Sequence, residues 1–445
     1  MFIENKINKI CSKSKGLFFG YSLLLNSIIL AIFLILIPDS FRINENQDYI
    51  SGYNPIALNI FNGNTYNYFD ENDCNSPCED GIYFEALERP PIFPILIAGT
   101  HKLASITNID QYTLLIYFQY LLHLVSSFFI LLIYLYWFKK PKIALFASIL
   151  YSSYPLGLYL LKQPNSEVIF NFILASFVLL FTLTLKKRKY LNGFSIYFSG
   201  LFLGLLFLTR YLAIFLPIFI LIFLLIYYRS DVVKIATKML IGIFIVVLPW
   251  QIYQGNLTEQ AYLSKLTSDL PKREFSLGVF ISGLHWEYKP DKLSSGVSEF
   301  MSDDLIHFME RTQKISKLGA LSSKSEVLSY VLDETFESPA TMLELIFWKA
   351  TRSLYATDSK RYEMEIFLIN SVYLILLMVL FFNRKKYLAE SENRIFSVFF
   401  LFLFLYFYFL TISVVPIVRY TLSGILFFIP LISLLANNYE LNDKK

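Results

Sequence analysis

Runs of about 20 apolar residues, the length of helix that crosses a bilayer core, recur along most of this chain with short polar breaks between them. They fall at residues 17–38, 111–137, 142–161, 165–185, 193–209, 211–228, 235–253, 364–382, 395–413 and 416–436. These runs are apolar on every face, the pattern of helices whose solvent is lipid. Two long stretches lack them, 39–110 and 254–363. Within the second, apolar residues recur at helical spacing over Ser298–Lys317 and Pro339–Tyr355, which predicts amphipathic helices there. The first run is too long for a secretory signal and has no small-residue cleavage site, so it reads as a retained helix.

Composition turns this pattern into a class. Of 445 residues, 55% are hydrophobic and only 17% charged, too little polar surface for a soluble enzyme and the reverse of a disordered chain. The expected architecture is an all-α polytopic membrane protein of about ten transmembrane helices, with outer-face amphipathic helices and a small extracytoplasmic cap. Net charge is +4 and no basic stripe interleaves with exposed aromatics, so nucleic acid is excluded as a partner. Cys74 and Cys78 form a C-x3-C pair that lacks the second ligand pair of a zinc site. A disulfide between them requires an oxidising compartment.

Basic residues near span ends mark the cytoplasmic side. They cluster before the first run (Lys6, Lys9, Lys13, Lys15) and after the second (Lys139, Lys140, Lys142). Further clusters follow the fourth (Lys186, Lys187, Arg188, Lys189), the sixth (Arg229, Lys234, Lys238) and the eighth (Arg384, Lys385, Arg384's second lysine neighbour Lys386). Every second connection is therefore basic, which places both termini in the cytoplasm. The segment 39–88 carries ten Asp or Glu against one basic residue, Arg42, and belongs outside. The resulting organisation is a cytoplasmic amino terminus and first span (1–38), a first outer loop with re-entering or juxtamembrane helices (39–110), a transmembrane body (111–253), an outer helical cap (254–363), and C-terminal spans with a cytoplasmic tail (364–445).

Ionisable residues in or beside apolar spans are costly, so function is their default reading. On the expected outer side these are Asp48, Glu88, Arg89, Glu167, Arg210 and Arg419, with Lys162 and His101 near them. Arg89 precedes Pro90 and Pro91, which block helix at their own positions and restrict the residue before them. An arginine fixed there offers a planar fork suited to phosphate. Plainer readings stand beside these. Glu167 could cap the fourth span, Arg210 and Arg419 could anchor at the interface, and His101 and His123 read as packing or interface histidines. The run Phe396–Phe409 reads as lipid-facing bulk.

The order of these motifs resembles the GT-C superfamily of integral-membrane glycosyltransferases, in the bacterial branch similar to aminoarabinose transferases and protein O-mannosyltransferases. Its carriers are Asp48 early in the first outer loop, then Tyr53, Ala57, Leu58 and Gly63, and the Arg89-Pro90-Pro91 block closing at Pro94. Pro164-Asn165-Ser166-Glu167, Gly200-Leu201-Phe202-Leu203-Gly204 with Leu208-Thr209-Arg210, Leu248-Pro249-Trp250 and Arg419-Tyr420 complete it. Tyr53 lies five residues after Asp48 where many members have four, and Tyr211 stands where members commonly have Pro.

The resemblance implies transfer of a sugar from a polyprenyl-phosphate donor to an acceptor hydroxyl or phosphate at the outer face of a bacterial cytoplasmic membrane. The acceptor would be a glycolipid, a glycan or a protein. Asp48 is the expected catalytic base, Arg89, Arg210 and Arg419 the donor-phosphate residues, and Tyr53, Glu88, Glu167 and Tyr420 their support. Asp48 and Glu167 are the pair that could share a divalent cation, with no cofactor otherwise implied. Membrane lipids are the remaining partner. The competing class is a transporter or flippase, for which paired internal repeats are the usual mark; the sequence shows none. A non-catalytic scaffold would leave the outer charges without purpose.

Overall fold

The computed structural model describes residues 15–36, 48–66, 89–186, 193–228, 231–258, 300–317, 324–357, 362–383, 391–413 and 416–440. Glu88, Cys74, Cys78 and the side chain of Asp48 lie outside the described residues, as do the carboxyl-terminal tail and most of the basic connections. Among the described residues every regular element is a helix. The chain divides into two compact units, one of Met1–Gln254, Ile375–Phe402 and Leu426–Lys445, the other of Gly255–Leu374 and Leu403–Ile425.

In the first unit, α1 (Lys15–Leu36) is followed by a π-helical turn (Asp48–Tyr53), α2 (Asn54–Phe61) and α3 (Ile92–Thr107). The body then runs α4 (Gln111–Phe138), α5 (Pro141–Ser152), α6 (Pro155–Leu161), α7 (Ser166–Lys186), α8 (Phe194–Phe207), α9 (Leu216–Tyr227) and α10 (Val232–Thr258). The cap helices are α11 (Asp303–Lys317), α12 (Lys324–Glu337) and α13 (Pro339–Arg352). The chain closes with α14 (Glu363–Phe382), α15 (Ser391–Ser413) and α16 (Val418–Phe428), the last continuing as a 3-10 helix over Ile429–Glu440.

All ten apolar runs are helical, but they do not span alike. Among the described residues seven helices are long and apolar enough to cross a membrane. An eighth exists if α5 and α6 count as one span bent by 54°. The bend is legible: Pro155 follows Tyr154, whose extended backbone (ψ 119°) ends α5 and lets α6 restart. The runs 193–209 and 211–228 form the shorter helices α8 and α9, of 14 and 12 residues. At the α-helical rise these reach only about 21 and 18 Å, short of the roughly 30 Å core. The amphipathic helix expected from Ser298 begins at Asp303.

Small residues bring helices together where lipid supplies no hydrophobic drive. A Cβ on Gly200 would lie 2.1 Å from the Met239 carbonyl oxygen, and one on Gly242 2.2 Å from that of Tyr197. Gly200 and Gly242 thus seat α8 against α10 backbone to backbone. Polar side chains hold α1 to α5: Asn26 donates to Ser148 Oγ at 3.2 Å and accepts from Ser152 Oγ at 2.5 Å. His123 meets the Ser152 carbonyl at 3.2 Å and stacks on Tyr151, a satisfied packing histidine.

One expectation is corrected. The Phe396–Phe409 run is not lipid-facing bulk: Phe396, Phe399, Phe400, Phe404 and Phe407 are buried, and Phe409 is exposed. In the first unit Phe396 meets Tyr134, Trp137 and Phe138 of α4, and Phe399 meets Phe181 and Phe223. Tilted and edge-on ring pairs of this kind gain energy beyond their area. A run that is aromatic on every face still has one face packed on protein.

In the second unit α11, α12 and α13 pack around Met301, Leu305, Phe308, Met309, Met342 and Leu345. Arg311 on α11 and Glu334 on α12 pair at 2.5 Å. Ser302 Oγ–H and N–H both donate to Glu344, and so does Trp348 Nε1–H. Burial pushes the Glu344 carboxyl up, but these hydrogen bonds outweigh it and hold it below its usual range.

Candidate functional site

Arg89 is fixed by the residues after it. Pro90 and Pro91 carry no N–H, so the first free donor at the start of α3 is Ile92, and it donates to the Leu208 carbonyl at 3.1 Å. Leu208 closes α8, two residues before Arg210. One hydrogen bond therefore joins the Arg-Pro-Pro entry to the Thr-Arg exit, two motifs far apart in sequence.

The Arg89 guanidinium lies over the Tyr53 ring, with Cζ 5.0 Å from the ring centroid, a cation–π contact. It also rests on Gly52, where a Cβ would come within 3.0 Å of Nη2. Glycine at 52 is what allows this approach. Tyr53 in turn stands edge-on to Phe93 at 5.0 Å. Tyr66 donates its hydroxyl to the Arg89 carbonyl at 2.8 Å, and its backbone N–H donates to the Tyr253 hydroxyl oxygen at 3.2 Å. Trp250 packs edge-on against Tyr66 and stacks on Tyr253. Burial pushes the Tyr66 hydroxyl well above its ordinary value of 10.0, so it stays a neutral donor.

Gly52 and Tyr53 belong to the π-helical turn that starts at Asp48. Bonding in such a turn runs five residues along the chain rather than four. Positions 48 and 53 therefore fall one turn apart, and the extra residue between Asp48 and Tyr53 is absorbed without changing that relation. A neighbouring chain of polar contacts fixes the turn: Tyr49 donates to Gln111 Oε1 at 3.0 Å, and Gln111 donates to Thr100 Oγ1 at 2.9 Å. His101 meets Asn54 Oδ1 at 2.9 Å, and burial lowers its pKa below 6.5.

Glu167 opens α7 and pairs with Arg210 at 2.5 Å, their side chains 5% and 12% exposed. The loop leading to Glu167 is held by a residue that sequence reasoning missed. Gln119, buried in α4, donates to the carbonyls of Leu161 and Gln163 and accepts the Asn165 N–H at 2.8 Å. Its signal was an amide in the middle of an apolar span, which must find partners there. The neighbouring Lys162 is buried, and its carbonyl accepts the Tyr112 hydroxyl at 3.1 Å.

Thus Tyr53 and Arg89 meet directly, Glu167 and Arg210 meet directly, and the Ile92–Leu208 bond links the two pairs. Arg419 and Tyr420 belong to the second unit, where the Arg419 guanidinium lies 5.4 Å from the Tyr420 ring centroid. Among the described residues no group of three or more His, Cys, Asp or Glu side chains comes together as a metal site. Of the pair expected to share a cation, Glu167 faces the Arg210 guanidinium. The side chain of the other, Asp48, lies outside the described residues.

No curated protein matches this sequence at a significant level. Among solved structures, ArnT from Cupriavidus metallidurans bound to undecaprenyl phosphate is similar over 93% of this chain and 77% of its own, at 11% identity and a TM-score of 0.41. Residues 88–253 match the family described as dolichyl-phosphate-mannose-protein mannosyltransferase. That segment holds Arg89, Glu167, Arg210 and Trp250, while Asp48 and Arg419 lie outside it. The chain is therefore a multi-pass membrane protein whose residues 88–253 are similar to the dolichyl-phosphate-mannose-protein mannosyltransferase family.

Proposed function

We propose that this protein is a membrane glycosyltransferase that moves a sugar from a polyprenyl-phosphate donor to an acceptor hydroxyl or phosphate at the extracytoplasmic face. The observation that carries the reading is the position of Arg89: its guanidinium sits on Gly52 and Tyr53, within the turn that begins at Asp48. The arginine that would bind phosphate thereby rests on the same short turn that the carboxylate residue begins.

The chemistry asks for such a pairing. In a single displacement the acceptor oxygen attacks the anomeric carbon while the bond from that carbon to the phosphate oxygen breaks. The leaving phosphate departs with the electron pair and one more negative charge, and the configuration inverts. Asp48 takes the proton of an acceptor hydroxyl, a general base at the nucleophile. Arg89 holds the developing phosphate charge through its planar donors. Arg210, oriented by Glu167, supports the same charge, and Arg419 is assigned phosphate binding on its own unit. Tyr53 and Tyr66 position Arg89, and Glu88 and Tyr420 are supporting residues.

The basic connections support a cytoplasmic place for both termini, and the resemblance supports a bacterial inner membrane. The transporter reading has one broken span, α5–α6, but no matching break in the carboxyl-terminal half among the described residues, where transporter repeats place one. The test uses membranes containing the full chain, supplied with a panel of labelled polyprenyl-phosphate sugars. Label should pass from at least one donor into envelope lipid, glycan or protein. Asp48→Asn should abolish that transfer, by about a thousandfold or more at equal expression. Wild-type transfer by Asp48→Asn would remove Asp48 as the base, and no transfer from any donor by the wild type would remove the enzyme reading.

A further inference from the structure

α13 is inside out for a helix in water. Its buried stripe runs Met342, Leu345, Lys349 and Arg352, a helical spacing that carries the apolar core of the cap on into a lysine and an arginine, 1% and 3% exposed. Its other stripe is Leu343, Ile346 and Phe347, 68%, 46% and 57% exposed. From Thr341 to Thr357 these three are the exposed residues, and none is polar. The acid of the helix, Glu344, takes hydrogen bonds from Ser302 and Trp348. Lysine and arginine ordinarily keep their charge at a water-facing surface, and near the carboxyl end of a helix exposure there also suits the dipole. Here both are held within the protein, and aliphatic and aromatic side chains take the outside. One exposed leucine is ordinary, but a helix that turns its cations inward and exposes only apolar side chains is built for an apolar solvent.

Contacts at its last turns give the depth of the helix. Tyr408 of α15 donates its hydroxyl to the Ala350 carbonyl at 3.0 Å, and Asn370 of α14 donates through Nδ2 to the Leu354 carbonyl at 2.5 Å. Both α14 and α15 are long and apolar enough to span a membrane. Asn370 stands seven residues into α14, and Tyr408 five residues before the end of α15. At the helical rise these contacts lie about 10 and 7 Å inside the cap-side ends of the two spans, the level at which interfacial helices rest in a bilayer. Tyr355, just past α13, meets Phe367 edge-on at 5.5 Å. Phe367 belongs with Met364, Leu368 and Val372 to an exposed apolar face of α14. The end of α13 therefore borders the lipid-facing side of a span.

We propose that α13 is an interfacial helix that dips into the leaflet on the cap's side of the membrane, with Leu343, Ile346 and Phe347 against the acyl chains. Its partner is the lipid surface itself. The segment 254–363, which the sequence presents as an outer cap, is then anchored in the bilayer at its carboxyl end. A helix of this kind binds through buried apolar area, and α13 supplies that area on one face while its other face stays on the core of the cap. The inference uses the spans alone and does not rest on the sugar transfer proposed above.

The test places a nitroxide on the full chain in phosphatidylcholine nanodiscs, with Cys11→Ala, Cys74→Ala and Cys78→Ala so that the label has one site. It compares collisions with oxygen, which concentrates in lipid, and with a water-soluble nickel complex. Val372→Cys, on the exposed face of α14, is the lipid reference, and Asp304→Cys, exposed on α11, the water reference. At Leu343→Cys and at Phe347→Cys the oxygen-to-nickel ratio should fall within about twofold of the lipid reference and roughly tenfold above the water reference. Ratios at the water level would overturn the proposal. Spin–spin broadening that vanishes on dilution with unlabelled chain would show a second copy on the stripe and overturn it too. A second measurement keeps the native cysteines: p-benzoylphenylalanine in place of Phe347 should, on illumination in the same nanodiscs, add the mass of one phosphatidylcholine to the chain. An unmodified chain or a chain-to-chain adduct would overturn the lipid contact. Sugar transfer enters none of these readouts, so failure of the glycosyltransferase reading would leave this inference standing.

Discussion

The two units treat buried positive charge differently. In the first, Arg210 lies against Glu167 and Arg89 against the ring of Tyr53, so each guanidinium has a specific counter-surface. In the second, Lys349 and Arg352 continue an apolar stripe and carry their charge into the packed end of α13. The difference teaches that a sequence position for a cation says little by itself. A paired arginine is held in place and aimed, while a lysine buried in an apolar register loses its proton more easily, as burial pushes Lys349 down to about 7.

The sharpest way to break the first half of this contrast is to remove one member of the Glu167–Arg210 pair. Arg210→Gln leaves a carboxylate buried, which costs about 3–5 kcal/mol of stability. Glu167→Gln/Arg210→Gln should recover most of that loss in a thermal melt while transfer stays low. If the double variant transfers normally, Arg210 is a structural partner of Glu167 and not a phosphate residue.

The second half is tested by Lys349→Met, which should raise the melting temperature by several degrees near pH 7, since the apolar stripe is completed. Its pH dependence has a definite sign. The folded-state pKa, about 7, lies below the ordinary 10.5, so between those values the unfolded chain holds a proton that the folded chain lacks. Stability of the wild type should therefore rise with pH across that window. The advantage of Lys349→Met should shrink in step. An advantage that stays constant from pH 7 to 10 would mean that Lys349 is charged in the fold and already matched.

A smaller effect sharpens the Arg89 side. Gly52→Ala places a methyl within 3.0 Å of the guanidinium and must shift it. The fold should survive, with a loss of about 1 kcal/mol in transition-state binding, or roughly fivefold in kcat/KM for the donor. No change in kcat/KM would show that Arg89 can move off Gly52 without consequence.

Much of this was legible in the sequence, for physical reasons that can be named. The spans follow from apolar runs, the bend at Tyr154 from Pro155, and the fixed start of α3 from Pro90 and Pro91. Arg89, Glu167 and Arg210 stood out because charge beside lipid is expensive. What was not legible is pairing across the fold. Nothing local to Arg210 names Glu167, nothing in Gly52 announces an arginine overhead, and Gln119 looks like a stray amide until the Leu161–Asn165 loop closes on it. The Phe396–Phe409 run misled because aromatic residues read alike in lipid and in a packed aromatic cluster. Lys349 and Arg352 became notable only when their stripe turned out to be the buried one.

The most direct measurement of the central claim is the affinity of the purified full chain for undecaprenyl phosphate against undecaprenol, in the wild type and in Arg89→Gln. A charged hydrogen bond to phosphate contributes about 1.5–3 kcal/mol, so Arg89→Gln should weaken phosphate-lipid binding by roughly tenfold to a hundredfold and leave undecaprenol unaffected. Equal affinity of wild type and Arg89→Gln for undecaprenyl phosphate would contradict the account.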